Sequence, residues 1–324
     1  MYNLTIALPC YNLEKTLRTS MDSILKQRRS GEIEILIVDN SSTDKSVEIA
    51  KEYEKQYSNV TCIINETNIG PDRNFLKCLE IATGRYVLLL GDDILMDGIL
   101  EKIMACLEED PDFMFLNYSP LLGLNPVKTG KTYVDFQSES GSYIAESVDD
   151  FFERVGTRMT FLSSLVFKKE QFDKIPAEVK ELYINTYFLQ THLALLTLKK
   201  SKKNIILRDN CIAAGPNYGC GYDFYNVWFC QYHKLLFETA AEIGVSKDVS
   251  ERLWKNQNAT IRAIFYFRWK TKASKNWDKS CVRKNLKGYP WIKFKAMVAI
   301  YWPRFLLPIV MCVRAIYRKL KRKN

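Results

Sequence analysis

Two adjacent carboxylates, Asp92 and Asp93, follow a short apolar run and are the residues best suited by type and position to chemistry. The run, Tyr86 to Leu90, has the length and composition of a fully buried strand. In open α/β sheets, ligands bind in the crevice outside the carboxyl ends of the strands. Carboxylate oxygens there suit Mg²⁺ or Mn²⁺ holding a diphosphate. The competing interpretation is structural, with either aspartate capping a helix that begins near Asp97.

The elements around this pair alternate between strand and helix. Strands are predicted at Leu4–Leu8, Glu32–Val38, Val60–Ile64, Tyr86–Leu90 and Phe113–Tyr118, with helical patterns between them. This order predicts a mainly parallel sheet with right-handed crossovers. Polar clusters follow three of the strands, namely Pro9-Tyr11-Asn12, Asp39-Asn40 and Asp92-Asp93. Because parallel strands end at the same edge of a sheet, these clusters outline a nucleotide site.

Four motifs in this order, IALPCYN, EILIVDNSSTD, NIGPDRN and LLGDDIL, resemble the donor domain of family 2 glycosyltransferases. The resemblance covers roughly Leu4 to Asp110 and is closest to the abequosyltransferase-type branch of bacterial surface polysaccharide synthesis. It implies the α/β GT-A fold, which has a mainly parallel central sheet with flanking helices, and here we expect a helical C-terminal extension as well.

The resemblance also implies roles for individual residues. Asp39 would accept a hydrogen bond from the imide N–H of uracil or thymine, and Tyr11 would stack on the base. Asp92 and Asp93 match the metal-binding element, although Leu90 stands where the commoner form has a further acid. The donor-nucleotide residues are therefore predicted as Pro9, Tyr11, Asn12, Glu14, Asp39, Asn40, Asp72, Arg73 and Asp92, and the ligands of Mn²⁺ or Mg²⁺ as Asp92 and Asp93.

The catalytic base is predicted less directly, because the Glu-Asp pair that the family commonly carries is absent from the corresponding region. His192 lies there, and a neutral imidazole can take a hydroxyl proton; Asp223 is the second candidate. Each also has a structural interpretation, as a hydrogen-bonded buried histidine and as a helix N-cap. Within a predicted strand, Thr160–Phe167, the hydroxyls of Ser163 and Ser164 are interpreted as bonded to backbone rather than to sugar.

The basic excess of the chain is confined to its C-terminal end. From Lys279 onward there are 13 Lys/Arg and no Asp/Glu, so the remainder carries a net charge of −3. The segment Trp291–Leu320 is also apolar and aromatic, with uncharged runs shorter than the ~20 residues that span a bilayer. This composition predicts an in-plane anchor on an anionic membrane rather than a nucleic-acid partner. The alternative is a C-terminal helix packed on its own domain.

The cysteines and the N terminus suggest a compartment. Nine cysteines occur without a Cys-x-x-Cys pair, so we expect them to be reduced and mostly buried, as in a cytosolic protein. The first residues lack the pattern of a signal peptide. Together with the basic end of the chain, these features predict a peripheral protein at the cytoplasmic face of the cell membrane.

The expected organisation is a GT-A domain over residues 1–215, a helical extension over 216–289 and a membrane-associating tail over 290–324. Residues 1–118 would form the donor half of the first domain and 119–215 the acceptor half. The expected reaction is inverting, metal-dependent transfer of a sugar from a nucleotide sugar, most simply a UDP-sugar, to a hydroxyl of a lipid-linked glycan. Two alternatives are a sugar nucleotidyltransferase, although no Gly-rich basic loop follows the first strand, and an inactive membrane-associated scaffold.

Overall fold

The structure is a computed structural model that describes residues 2–120, 140–199, 201–215, 223–256, 260–261, 264 and 278–303. The chain divides into two compact units, one of residues 1–218 with 242–245 and the other of residues 219–241 with 246–324. Three segments lie largely outside the described residues. They are the Gly-rich run 215–221, whose composition predicts a loop, the run 118–147, whose composition predicts a β-hairpin or loop insertion, and the tail beyond Pro303.

One sheet forms the centre of the first unit. Its strands are β1 (Leu4–Cys10), β2 (Glu34–Asp39), β3 (Val60–Ile64), β4 (Tyr86–Leu89), β5 (Ile94–Leu95), β6 (Phe113–Pro120), β7 (Ser142–Ala145), β8 (Leu165–Lys168) and β9 (Asn204–Ala214). The spatial order is β3-β2-β1-β4-β8-β6-β9-β5, and β7 also pairs with β9. The first four strands run parallel, whereas β8 is antiparallel to both of its neighbours. The parallel half agrees with the strand–helix alternation in the sequence.

Helices cover the parallel half of the sheet. The helices of the first unit are α1 (Leu17–Leu25), α2 (Ser46–Gln56), α3 (Pro71–Ile81), α4 (Ile99–Glu108), α5 (Val148–Val155), α6 (Lys169–Asp173), α7 (Ala177–Glu181) and α8 (Leu189–Leu198). Every residue of β1, β2 and β4 is buried, which explains why these strands read as continuous apolar runs. The α3 helix begins with Pro71 directly after Gly70, whose φ of 83° suits glycine.

Two predicted elements differ from the structure. The predicted strand Thr160–Phe167 is mostly two 3₁₀ turns, and only β8 is extended. The Ser164 hydroxyl donates to the Phe161 carbonyl at 2.6 Å, a local bond that favours a turn over a strand. The apolar pattern of residues 182–199 predicts one helix over that range. The helix begins only at Leu189, because Asn185 and Tyr187 adopt left-handed φ angles of 64° and 63°.

Within the described residues after β9, the structure has four helices: α9 (226–242), α10 (Lys247–Lys255), α11 (Ser280–Asn285) and α12 (Pro290–Tyr301). The α9 helix contains two π-helical stretches, Asn226–Gln231 and Leu235–Thr239. None of the helices in the described part of the chain combines the length and the apolar character needed to cross a bilayer.

A disulfide between Cys230 of α9 and Cys281 of α11 corrects the expectation that all cysteines are reduced. The two residues are 51 positions apart, a spacing that carries no local signature, and helix packing brings their Cα atoms to 5.4 Å. The free cysteines of the described residues are buried, as expected: Cys10, Cys62, Cys78, Cys106 and Cys211.

Candidate active site

The carboxyl ends of three parallel strands bring most of the predicted residues to one edge of the sheet. Cys10 at the end of β1 lies opposite Asp39 at the end of β2, and the Asn40 N–H donates to the Cys10 carbonyl at 2.8 Å. On the other side of β1, the Leu90 N–H donates to the Ala7 carbonyl at 2.8 Å. The Asp92–Asp93 pair therefore leaves the sheet at the same edge as Asp39.

Asp39 is fully buried and shapes the turn that follows β2. Its Oδ1 accepts from the Ser42 N–H at 2.8 Å and its Oδ2 from the Ser42 hydroxyl at 2.5 Å. The Asp39 carboxylate also lies beside the Cys10 thiol, whose pKa is raised to about 12, mainly by burial and next by this charge. The Cys10 thiol is therefore protonated near neutral pH, which excludes a thiolate nucleophile at this position.

The loops after β1 and β2 are tied together by short polar contacts. The Asn12 N–H donates to the Ser42 hydroxyl at 2.9 Å, and the Asn12 side-chain oxygen accepts from the Thr43 N–H at 2.9 Å. The Glu14 N–H donates to the Asp44 carboxylate at 3.0 Å. Between these fixed positions the Tyr11 ring is exposed, and Pro9 is buried in β1. Asn12 and Glu14 are exposed as well, so Tyr11 is the aromatic member of an accessible set of predicted nucleotide residues.

Asn40 holds the loop between β3 and α3. Its side-chain oxygen accepts from the Asn65 side chain at 3.1 Å and from the Ile69 N–H at 2.9 Å. Its amide nitrogen donates to the Asn68 side chain at 3.0 Å and to the Gly70 carbonyl at 3.2 Å. Asn40 is buried, so its predicted nucleotide contact stays a prediction and its observed contacts position the start of α3.

Asp72 and Arg73, in the first turn of α3, hold the segment before α8. The buried Asp72 carboxylate accepts from the Asn185 N–H at 2.7 Å. Burial raises the pKa of Asp72, and backbone N–H groups of Asn185 and Tyr187 act in the opposite direction. The Arg73 guanidinium makes two bonds to the Glu181 carboxylate, at 3.0 and 2.8 Å.

Asp93 is held from two sides at the turn after β4. Its Oδ1 accepts from the Gly215 N–H at 2.6 Å, and its Oδ2 accepts from the Ser163 hydroxyl. The same hydroxyl accepts from the Gly91 N–H at 3.1 Å. The pKa of Asp93 is raised to about 6, chiefly by burial, with Ser163 and Gly215 lowering it and Asp92 raising it. This carboxylate is therefore a buried link between the Gly91–Asp93 turn, Ser163 and the end of β9.

Asp92 has a different environment. It is half-buried, and burial raises its pKa. Among the described residues, no other residue donates a hydrogen bond to its carboxylate. A Cβ at Gly215 would lie 2.7 Å from the Asp92 carbonyl oxygen, so the close approach of β9 requires glycine there. Backbone packing against Gly215 thus positions Asp92, and its carboxylate oxygens are available to bind a ligand.

These residues fit a divalent cation of the Mg²⁺ or Mn²⁺ type. Such ions are usually held by one or two carboxylates, with the remaining positions filled by substrate phosphates and water. The described residues contain no group of three or more His, Cys, Asp or Glu side chains suited to a metal. The Asp92 carboxylate oxygens would be the donors to such an ion.

Ser163 and Gly215 are site residues whose roles the sequence did not indicate. Ser163 was expected to bond to backbone, and its hydroxyl accepts from the backbone of Gly91, but it also donates to Asp93. Ser164 bonds to backbone as expected. The one sequence signal for Ser163 is the polar pair Ser163–Ser164 inside an apolar run. No local pattern links Gly215 to Asp93, because the two residues are 122 positions apart.

The two candidate bases, His192 and Asp223, both make contacts that are typical of residues with a structural role. The His192 ring is 2% exposed and stacks on the Tyr183 ring, with centroids 4.3 Å apart. A sugar hydroxyl would reach this imidazole only after Tyr183 or its neighbours moved, and the catalytic role of His192 stays a prediction.

Asp223 caps the start of α9. Its Oδ1 accepts from the Tyr225 and Asn226 N–H groups at 2.9 and 3.1 Å. Its Oδ2 accepts from the Asp278 N–H at 2.6 Å. These contacts match the helix-capping interpretation, and a catalytic role for Asp223 also stays a prediction.

Comparisons with known proteins agree with this geometry. Residues 5–160 match the family model described as glycosyl transferase family 2. The chain is 29% identical over 205 residues to the abequosyltransferase RfbV of Salmonella typhimurium, covering 57% of this chain and 58% of that protein. The chain thus spans less than two thirds of the length of this curated relative.

Solved structures share the fold. The crystal structure of S. aureus TarS 1-349 in complex with UDP-GlcNAc has a TM-score of 0.58 at 18% identity, covering 97% of this chain and 88% of that one. The mannosyltransferase PcManGT from Pyrobaculum calidifontis, in complex with GDP-Man and Mn²⁺, has a TM-score of 0.52 at 14% identity, covering 94% and 87%. At these identities the likeness shows the fold alone, which confirms the predicted GT-A class.

Proposed function

The chain belongs to glycosyltransferase family 2 through its domain at residues 5–160, and we propose that it transfers a sugar from a nucleotide-sugar donor to a hydroxyl acceptor. The observation that carries this proposal is the Asp92 carboxylate, available at the edge where β1, β2 and β4 end. A divalent cation bound there would neutralise negative charge on the leaving diphosphate. Asp92 is the proposed ligand, and Asp93 is the proposed positioning residue rather than a second ligand.

The proposed donor is a UDP-sugar. The UDP-GlcNAc in the TarS complex and the Mn²⁺ in the mannosyltransferase complex support a nucleotide sugar and a divalent metal in this fold. Tyr11 offers an exposed ring for stacking on the base. Asp39 would accept from the uracil imide with lone pairs that Ser42 leaves unused, since each carboxylate oxygen accepts more than one bond.

The proposed reaction is a single displacement with inversion at the anomeric carbon. The acceptor hydroxyl loses its proton to a base as its oxygen bonds to the anomeric carbon, and the bond to the diphosphate oxygen breaks. His192 and Asp223 are the predicted bases. The chain's own residues otherwise bind, orient and exclude water, and no covalent intermediate with the protein is involved.

The proposed acceptor is a lipid-linked glycan met at the cytoplasmic face of the membrane, where residues 290–324 would rest on anionic lipid. The abequosyltransferase relative supports transfer of a sugar, and the resemblance of the donor motifs to that branch of the family implies a role in surface polysaccharide synthesis. The absence of Asp and Glu from Lys279 onward supports the attraction to an anionic surface.

The experiment that tests the donor site is calorimetric binding of UDP with and without Mn²⁺. We expect Mn²⁺-dependent binding by the wild type and a loss of at least about a hundredfold in Asp92→Asn, because the amide removes the anionic ligand. The matched control is Asp97→Asn, which makes the same change at an exposed carboxylate paired with Lys26 and should bind UDP as the wild type does.

Other outcomes separate the alternatives. Unchanged UDP binding in Asp92→Asn would remove this carboxylate from the donor site. Binding of dTDP, GDP or CDP in place of UDP would show that the donor carries a different nucleobase and would leave the proposed donor site unchanged. With a nucleotide sugar and acceptor, release of the nucleoside diphosphate supports a transferase, whereas a pyrophosphate-dependent reaction would identify a nucleotidyltransferase. Failure to bind any nucleotide would favour the inactive scaffold.

A further inference from the structure

The α12 helix carries apolar residues on two sides. Ala296, Ala299 and Ile300 are buried, whereas Trp291, Phe294 and Tyr301 are 66, 58 and 50% exposed. The spacings of three and seven residues place the exposed rings on one stripe of the helix. Large aromatic side chains exposed together in this way mark an interaction surface rather than ordinary surface scatter.

Cations lie at both ends of this stripe. The Lys295 ammonium is 5.2 Å from the centre of the Trp291 ring. At the other end, the Arg283 guanidinium donates to the Tyr301 hydroxyl at 2.7 Å, and the Lys279 ammonium is 5.1 Å from the Tyr301 ring. Arg283 belongs to α11 and Lys279 precedes it, so two helices contribute to the same surface. We call these six residues the α12 face.

We propose that the α12 face docks on the surface of an anionic lipid bilayer, with α12 lying in the plane of the membrane. Aromatic rings favour the interfacial zone, where their apolar bodies are buried and their polar atoms stay hydrated. Lysine and arginine beside them meet anionic headgroups. The inference rests on the proposed function and deepens it, because it names the residues of two described helices that make the predicted membrane contact.

Charge and ring contacts favour lipid over the other classes of partner. No Asp or Glu lies between Lys279 and the C terminus, so two copies meeting through this face would oppose cations to cations. Single-stranded nucleic acid binds by stacking bases on open aromatic faces. Here Trp291 and Phe294 are stacked on each other with centroids 5.8 Å apart, and Lys295 lies over Trp291.

The test is co-sedimentation of the full-length protein with phosphatidylcholine vesicles that contain or lack phosphatidylglycerol. We expect binding only to the anionic vesicles, weakened by high salt. The triple variant Trp291→Ser/Phe294→Ser/Tyr301→Ser should lose at least about tenfold in affinity. Lys279→Gln/Arg283→Gln should lose about fivefold for each charge removed.

The matched control is Tyr57→Ser/Ile81→Ser/Ile144→Ser, which removes three exposed apolar side chains of the first unit and should bind vesicles as the wild type does. Thermal unfolding checks that each variant folds, and UDP binding is measured on the same preparations. Intact UDP binding by the wild type without vesicle binding would overturn this inference alone, and vesicle binding without binding of UDP, dTDP, GDP or CDP would overturn the donor site alone.

Three further results would contradict the assignment. Equal binding of the aromatic variant and the wild type would place the membrane contact elsewhere in the chain. A dimer that dissociates in the aromatic variant would show a second copy on the face. Capture of an oligonucleotide in place of vesicles, lost in the same variant, would assign the face to nucleic acid.

Discussion

The two neighbouring carboxylates at the end of β4 have different surroundings, and this difference suggests a division of roles. Asp93 accepts hydrogen bonds from Ser163 and Gly215, whereas the Asp92 carboxylate is half-buried and available. A buried carboxylate in two charge-assisted bonds is poorly suited to exchange ligands with an incoming metal. It is well suited to fix the turn that carries its neighbour.

Ser163→Ala should therefore destabilise the protein by about 2 kcal/mol at pH 7, since a buried ionised acceptor loses its donor. The folded pKa of Asp93, about 6, lies above the ordinary 3.8. Because the folded state binds this proton more tightly than the unfolded state, the protonation of Asp93 favours folding fully at pH values below 3.8. This stabilisation is lost as the pH rises through about 6. At pH 5 Asp93 is mostly protonated in the folded state, so the Ser163 bond joins neutral groups and its loss should cost only about 1 kcal/mol.

Urea unfolding at pH 5 and pH 7 measures this difference, with Ser164→Ala as the matched control. Ser164 is an adjacent buried hydroxyl that donates to the neutral Phe161 carbonyl, so its loss should have the same cost at both pH values. Equal pH dependence of the two variants would show that Ser163 does not stabilise an ionised Asp93.

At the residue scale, the sequence predicted which carboxylates lie at the edge of the sheet better than it predicted their hydrogen-bond partners. Asp39 and Asp92–Asp93 were recognised because each follows an apolar strand, and local order alone places them at one edge of a parallel sheet. The partners of Asp93 could not be found in this way. Ser163 and Gly215 are 70 and 122 residues away and reach it through β8 and β9, whose position in the sheet no local pattern encodes.

At the scale of elements, the N terminus of α3 is tied to the segment between α7 and α8. The contacts come from adjacent residues in contrasting environments. Asp72 is buried and bonded to backbone, whereas the side chains of Arg73 and Glu181 are each 49% exposed. The segment held by Asp72 contains two left-handed residues, Asn185 and Tyr187, a conformation that costs non-glycine residues of order 1 kcal/mol or more each.

Asp72→Ala should therefore destabilise the fold by about 2 to 3 kcal/mol, because the Asn185 N–H loses its partner in a partly buried turn. Arg73→Ala is the matched control and should cost less than about 1 kcal/mol, as exposed ion pairs do. Hydrogen exchange should also become faster at 183–188 in the Asp72 variant only. Equal effects of the two substitutions would show that the exposed ion pair holds the segment as strongly as the buried carboxylate.

Helices and strands were predicted correctly where the apolar pattern alone determines the backbone conformation. The prediction failed where a side-chain hydrogen bond to the backbone determines it instead. The sequence predicts a strand at Val60–Ile64 and a helix over 72–82, and the structure has β3 at Val60–Ile64 and α3 at Pro71–Ile81. An apolar run and a proline at the first helical position are local signals. The segment Thr160–Phe167 has the same apolar character as a strand. Its Ser164 hydroxyl instead closes a turn by donating to the Phe161 carbonyl, and the apolar character of the segment gives no indication of this hydrogen bond.

At the scale of the whole molecule, the chain forms two compact units with different means of stabilisation. The first has a large sheet buried between helices. The second contains helices, of which α9 and α11 are joined by the Cys230–Cys281 disulfide. Cysteine counting did not predict this bond, because an odd number without paired spacing reads equally well as a set of free thiols.

Cys230→Ser should lower the free energy of unfolding of the second unit by about 4 kcal/mol, from the chain entropy of a loop closed over a separation of 51 residues. The measurement is differential scanning calorimetry of protein purified without reductant, with peptide mapping to establish the Cys230–Cys281 link. Dithiothreitol should destabilise the wild type to a similar extent and have no further effect on the variant, which serves as the control for reduction elsewhere. If the wild type is insensitive to reductant and its peptides are unlinked, the two sulfurs are thiols in the protein as purified, and the second unit is held by helix packing alone.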